Sequence, residues 1–203
     1  MNVSVRLATI NDSRAIKRIY APYVEDTSIT PEYNTPAVFE LIGRIDEVMR
    51  KYPWIVCEVD DQVVAYAFAE PFRHRAAYAW TVELGVYVQK EYQRHKIATA
   101  LYECMFALLG DQGIRNAVAV TIGLNSASVA FHHKLGFTLV GTVPNAGFKL
   151  GQWHDVLCSV KQLRDDFGFP APIMTIGQLS PEFLQDQLDK ATESISVSLS
   201  SKL

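Results

Sequence analysis

The chain has 203 residues, 49% of them hydrophobic and 20% charged, with a formal net charge of −3. That length suits one domain with a full core and a short appendage, and the absence of any basic block argues against nucleic-acid binding. No apolar run is long enough to span a bilayer, the first residues lack the layout of a signal peptide, and the three cysteines, Cys57, Cys104 and Cys158, form no C-x-x-C pair, so a cytoplasmic protein with buried thiols and no membrane partner is expected.

Val3–Leu7 alternates and predicts a first strand. Asn11 or Asp12 is placed to cap a helix whose apolar face holds Ala15, Ile16, Ile19 and Tyr20. A second helix is expected from Pro36, which suits the first helical position because it has no N–H to leave unpaired. Its stripe is Val38, Leu41, Ile42, Ile45 and Met49, and it ends near Tyr52-Pro53. Trp54–Val59 and residues 63–69 read as a hairpin around an Asp60-Asp61-Gln62 turn. Residues 80–88 form a long strand interrupted by Gly85, and a glycine there marks a bulge or a close approach by a ligand.

The next helix carries Ile97, Leu101, Cys104, Met105 and Leu108 on one face and stops around 110–113. A short buried strand is expected at 118–122, then a helix at 126–135 that Gly136 terminates. Two last strands, 137–143 and 153–163, are joined by a loop containing Gly147 and Gly151. Beyond Asp165 the character changes: Phe169-Pro170-Ala171-Pro172 is extended, 180–191 is helical and the Ser-rich 194–203 is expected to be frayed and disordered. The reading is a mixed α/β domain over 1–172 plus an extension, 173–203.

The most informative stretch is Val86-Tyr87-Val88 running through Gln93-Arg94-His95-Lys96 into Ile97-Ala98. A strand feeds a short polar turn that opens a helix. Backbone N–H groups, the positive end of the helix dipole and Arg94 are then aimed at one point, which suits an anion and most naturally a phosphate.

Four motifs follow one another along the chain: Tyr52-Pro53-Trp54; Tyr78-Ala79-Trp80-Thr81-Val82-Glu83 leading to Val86-Tyr87-Val88; Ser128-Val129 with His132 and Leu135-Gly136-Phe137; and Ala146-Gly147-Phe148-Lys149 with Trp153-His154-Asp155-Val156. In this order and spacing they resemble the GNAT superfamily of N-acetyltransferases. The resemblance is closest to its phosphinothricin and methionine sulfone or sulfoximine branch and covers residues 3 to about 172. It implies an α/β fold with a splayed, twisted mixed sheet flanked by helices, a bulge in the fourth strand, acetyl-CoA as co-substrate in the splay, no metal, and a homodimer.

On the same resemblance the pantetheine arm pairs with Val86, Tyr87 and Val88, and the pyrophosphate sits on Gln93, Arg94, His95, Lys96, Ile97, Ala98 and Thr99. Asn125 and Ser128 flank the cofactor at the start of the second helix; Asn125 serves equally as a plain helix cap. The family's turn reads Gln/Arg-x-x-Gly-x-Gly/Ala, and Lys96 stands where the glycine lets the backbone approach the phosphates. A lysine with helical φ still offers its N–H and adds an ammonium, yet its side chain could crowd the cofactor.

The resemblance makes Glu83 the candidate general base, because the amine arrives as an ammonium ion and must lose a proton before it attacks a thioester. Alternation puts Glu83 with Thr81 and Gly85 on one face of the strand. His132 matches a family histidine that could protonate the departing thiolate or help deprotonate the amine, tasks an ordinary imidazole pKa suits. Its neighbour His133 points about 100° away on a helix, so the two make a poor metal pair. Arg73 and Arg75 match basic positions expected to hold the acceptor's acidic group through paired N–H donors. The expected activity is acetyl transfer from acetyl-CoA to the α-amino group of a small amino acid by direct attack in a ternary complex. The alternatives are a binding module with impaired cofactor use, which Lys96 motivates, and acetylation of peptide N-termini or polyamines.

Overall fold

The computed structural model describes residues 1–122, 125–166 and 168–201. Seven strands form one sheet in the order β1-β2-β3-β4-β5-β7-β6: β1 (Val3–Leu7), β2 (Trp54–Val59), β3 (Gln62–Pro71), β4 (Thr81–Val88), β5 (Asn116–Ile122), β6 (Thr138–Lys149) and β7 (Gln152–Gln162). The helices are α1 (Ser13–Asp26), α2 (Val38–Met49), α3 (Ile97–Asp111), α4 (Ser126–Lys134) and α5 (Pro181–Ser200). The period-2 alternation of β2 divides the core into two layers. Trp54 and Val56 pack with Ile16, Ile19, Leu41 and Ile45 of α1 and α2. Ile55 and Cys57 pack on the other face with Leu101, Met105 and Leu108 of α3.

All pairings are antiparallel except β4 with β5. That parallel pairing covers only Thr81 to Glu83 against Asn116 to Val118, although β4 continues to Val88 and β5 to Ile122. The two strands therefore part after three residues and open a V in the middle of the sheet.

Several expectations change. No bulge interrupts β4: its register with β3 runs unbroken from Val88 to Val82. Gly85 is required for another reason, since a Cβ there would lie 2.4 Å from the ring of Phe68, its cross-strand partner. The loop expected between the last two strands is instead a two-residue turn, Leu150-Gly151, with both φ positive, a geometry that matches strand twist. Gly147 lies within β6. Helix α2 begins at Val38 and not at Pro36, the Glu40 carboxylate accepting the Ala37 N–H at 2.6 Å. Cys57 and Cys104 are buried, but Cys158 is only half-buried.

The C-terminal segment differs most. The frayed end expected from residue 194 is helical through Ser200. Ser180 caps α5 by accepting the Phe183 N–H, and Pro181 occupies the first turn. Leu188, Ala191, Ile195 and Leu199 make a buried stripe that joins the core of α3, with spacings of three and four that keep them on one face. Thr192 Oγ1 accepts the Val5 N–H at 2.9 Å, so α5 also covers the outer edge of β1, a sheet edge that would otherwise be open to pairing.

Candidate active site

A cleft of about 550 Å³ passes through the V. On one face of the sheet it is walled by Glu32, Arg44, Trp54 and Phe68, and on the other by Ser128, Phe131 and His132. Past Glu83, β4 has no ladder partner on its β5 side among the described residues. Apart from the Leu84 carbonyl, which Tyr102 engages, and the Val88 backbone, which Tyr23 engages, that edge is open to an extended ligand, as to an added strand. Tyr102, from α3, donates its hydroxyl to the Leu84 carbonyl at 3.2 Å and lies in the cleft wall. From the sequence, Ile97, Ala98 and Thr99 of α3 are expected at the cofactor and the stripe to Leu108 in the core, and Tyr102 is passed over; its polar tip beside that stripe was the available signal.

Glu83 stands where the strands part. Burial pushes its carboxyl up to about 7, with Glu70 adding to the rise. Glu70 is its cross-strand partner, so both side chains emerge on one face. The rest of that face is aromatic. Trp54 stacks on Phe68 at 4.7 Å between centroids, Tyr66 on Tyr87 at 5.3 Å, and Tyr20 meets Tyr87 edge-on at 4.8 Å. The segment after α1 closes the cleft. Arg44 holds Glu32 through both terminal nitrogens, at 2.6 and 3.3 Å. Lys149 donates to the Thr30 carbonyl at 2.9 Å, and the Tyr33 hydroxyl donates to the Phe148 carbonyl.

His132 lies on the opposite side of the V. Burial pushes its pKa down to about 4, so the ring is neutral at any pH where the amine reacts. That corrects the expectation of an ordinary imidazole pKa. Its Nδ1 is 3.4 Å from Ser128 Oγ, and its buried Nε2 has no partner among the described residues. Asn125 caps α4, its side-chain oxygen accepting the Ser128 N–H at 3.0 Å. This leaves His132 as a neutral ring able to donate or accept one hydrogen bond.

The turn after β4 is built tightly. The Tyr23 hydroxyl donates to the Val88 carbonyl at 2.5 Å, and the Gln93 amide donates to that hydroxyl at 3.0 Å. Gln93 thus ties the turn to the strand end. Arg94 and Lys96 both have left-handed backbones, φ 65° and 58°. The condition of a helical φ at Lys96 is therefore not met. The chain must reverse before α3, and a non-glycine residue in that region costs about 1–2 kcal/mol. No side chain caps α3, which leaves the N–H groups of Ile97, Ala98 and Thr99 as the orphan donors of a helix start. The Ile97 side chain is core, so only its backbone can serve a ligand. The last turns of α5 border this region: Lys190, Ser194 and Ser198 share a cavity of about 630 Å³ with Arg94 and Lys96.

Two expected residues are not brought to the cleft. Arg73 and Arg75 are exposed, and Arg73 lies over the Phe72 ring at 5.1 Å. The segment between β3 and β4 folds into a short 3-10 turn at Ala76–Tyr78 and not into the extended run that would align the two guanidiniums. His74 lines the cleft in their place, with Arg44 supplying its guanidinium.

A family profile described as "Acetyltransferase (GNAT) domain" matches residues 5–158. The phosphinothricin N-acetyltransferase of Streptomyces viridochromogenes is 38% identical over 171 residues, 84% of this chain and 91% of that one. The L-methionine sulfoximine/L-methionine sulfone acetyltransferase of Pseudomonas paraeruginosa is 29% identical, covering 77% and 92%. Among solved structures, a phosphinothricin acetyltransferase from Sinorhizobium meliloti in complex with acetyl-CoA superposes with a TM-score of 0.80 at 31% identity, over 84% of this chain and 94% of that one. The V in the sheet, the uncapped helix start beside it and this kinship agree, and the chain belongs to the GNAT family of acetyl-CoA-dependent N-acetyltransferases.

Proposed function

We propose that the acceptor is the α-amino group of a small amino-acid-like molecule, of the type named for the relatives: phosphinothricin, methionine sulfone or methionine sulfoximine. The observation that carries this reading is Glu83, half-buried at the point where the strands part. Acetyl-CoA supplies the activated acetyl group when bound. The edge of Val86, Tyr87 and Val88 that faces away from β3 takes its pantetheine arm, and the α3 start with Arg94, His95 and Lys96 takes its phosphates. The arm's inner part passes Asn125 and Ser128. An N–H near Val86 is the donor suited to polarise the thioester carbonyl. Glu83 removes the ammonium proton, directly or through a water, and the amine attacks without an acetyl-enzyme. His132, being neutral, orients and does not supply a proton. The test is release of free thiol from acetyl-CoA with each of the three amines, together with mass detection of the N-acetyl product. Binding of acetyl-CoA without acetylation of any of them would sink the reading.

The working unit is inferred to be a homodimer. Strand β6 is exposed along nearly its whole length, and Leu139, Val140 and Val143 with Trp153 of β7 present an apolar surface of the kind that marks an interface. Trp153→Glu with Val140→Glu should halve the mass seen by light scattering; a monomeric parent would overturn the dimer. A cytoplasmic setting is inferred with it: no described helix is long and apolar enough to cross a membrane.

A further inference from the structure

The carboxylates of the cleft outnumber its cations. Among the described lining residues the acids are Glu32, Glu47, Glu70 and Glu83, against Arg44, Lys51 and the imidazole of His74. Arg44 is the guanidinium in the wall, and Glu32 engages both of its terminal nitrogens. Lys51 is turned over the ring of Tyr52, 5.2 Å from its centroid. Arg73 and Arg75, which would have balanced a second acid, stand outside. The cleft is nonetheless built for a polar guest: Trp54 Nε1 and His132 Nε2, on two buried side chains in its wall, have no partner among the described residues.

Such a cleft treats the relatives' two kinds of substrate unequally. Both carry an α-ammonium and an α-carboxylate. The ammonium suits Glu83, and the carboxylate can draw on Arg44. Methionine sulfone and sulfoximine add a neutral polar group, whereas phosphinothricin adds a second acid. That acid finds no second guanidinium among the described lining residues and meets Glu70, which is in register with Glu83. Glu32 repels the Glu70 carboxylate and Glu70 repels that of Glu83, while Arg44, a stronger influence on Glu70 than Glu32 is, and His74 attract it. Like charges set against each other are how a site rejects a near-isostere.

We propose that Glu70 is a specificity-determining residue that restricts the acceptor to amino acids whose side chain carries no negative charge. The proposal rests on the acetyltransferase reading above and names its substrate class. Steady-state kcat/KM is measured for L-methionine sulfone and L-phosphinothricin with the parent protein, Glu70→Gln and Glu70→Asp, at a pH above the Glu83 transition. The parent should favour methionine sulfone by about 10-fold or more, because like charges set side by side are costly. Glu70→Gln should close most of that gap, through a lower KM for phosphinothricin, and Glu70→Asp should keep it. KM for acetyl-CoA should be the same in all three, which also shows that the variants are folded. Equal use of the two amines by the parent, or a Gln variant whose ratio matches the parent's, overturns the role of Glu70. Failure of the parent to acetylate either amine is a different result and overturns the acceptor reading itself.

Discussion

Glu83→Gln should lower kcat by about 100-fold or more, the usual scale for loss of a positioned general base, while the Kd for acetyl-CoA stays within about a factor of two. Glutamine keeps the shape and loses only the ability to take a proton. In the parent protein kcat/KM for the amine should rise with pH through about 7 and then level, because only the ionised carboxylate accepts a proton and burial has moved its pKa there. The variant should lack that step. The same shift has a cost in stability. The folded carboxyl holds its proton to a higher pH than the ordinary value of 4.5, so the folded state binds more protons between those pH values. Its contribution to stability is then fullest below about 4.5 and is lost as pH rises through about 7. Glu83→Gln should accordingly be at least as heat-stable as the parent in alkaline buffer. Equal turnover by the two proteins would remove Glu83 from the mechanism.

Ending the chain after Pro172 should abolish folding. Leu188, Ala191, Ile195 and Leu199 are each 5% exposed or less, and burying side chains of the size of leucine or isoleucine is worth about 1.5–3 kcal/mol each. Removing them uncovers the opposing face of α3 and the edge of β1. The sum is comparable with the ~5–15 kcal/mol by which a domain is stable at all. Ile195→Ala is the milder probe and should cost about 2–5 kcal/mol, read as a lower Tm with both KM values unchanged. A truncated protein with the parent's Tm would make α5 an appendage after all.

The elements that define the fold were legible because their periods are strong. The alternation of Val3–Leu7, the short apolar run Trp54–Val59 and the stripe from Ile97 to Leu108 leave little choice. Glu83 was singled out by the resemblance of its motif, and alternation along the strand supplied only the face it takes. Glu70 was not, because its importance comes from facing Glu83 across a ladder, and register between strands is set by tertiary pairing. The stripe of α5 continues at Ile195 and Leu199, but the serines between them read as a solvated tail until a neighbouring helix is present to bury the apolar face. The left-handed Lys96 has no signature in composition. Glycine or asparagine would have announced it, whereas a lysine in that backbone is held there by the turn around it. Arg73 and Arg75 lie outside the cleft lining for a related reason: two residues apart means one side only while the chain is extended, and here it coils.

The cleft runs through the sheet and is lined from both of its faces, by Arg44 on one and Ser128 on the other. Two molecules entering from opposite sides meet end to end and need not pass one another. Such a passage imposes no order of arrival or departure. Initial-rate plots should intersect whichever substrate is varied, and an inert analogue of either one should compete with its own kind alone.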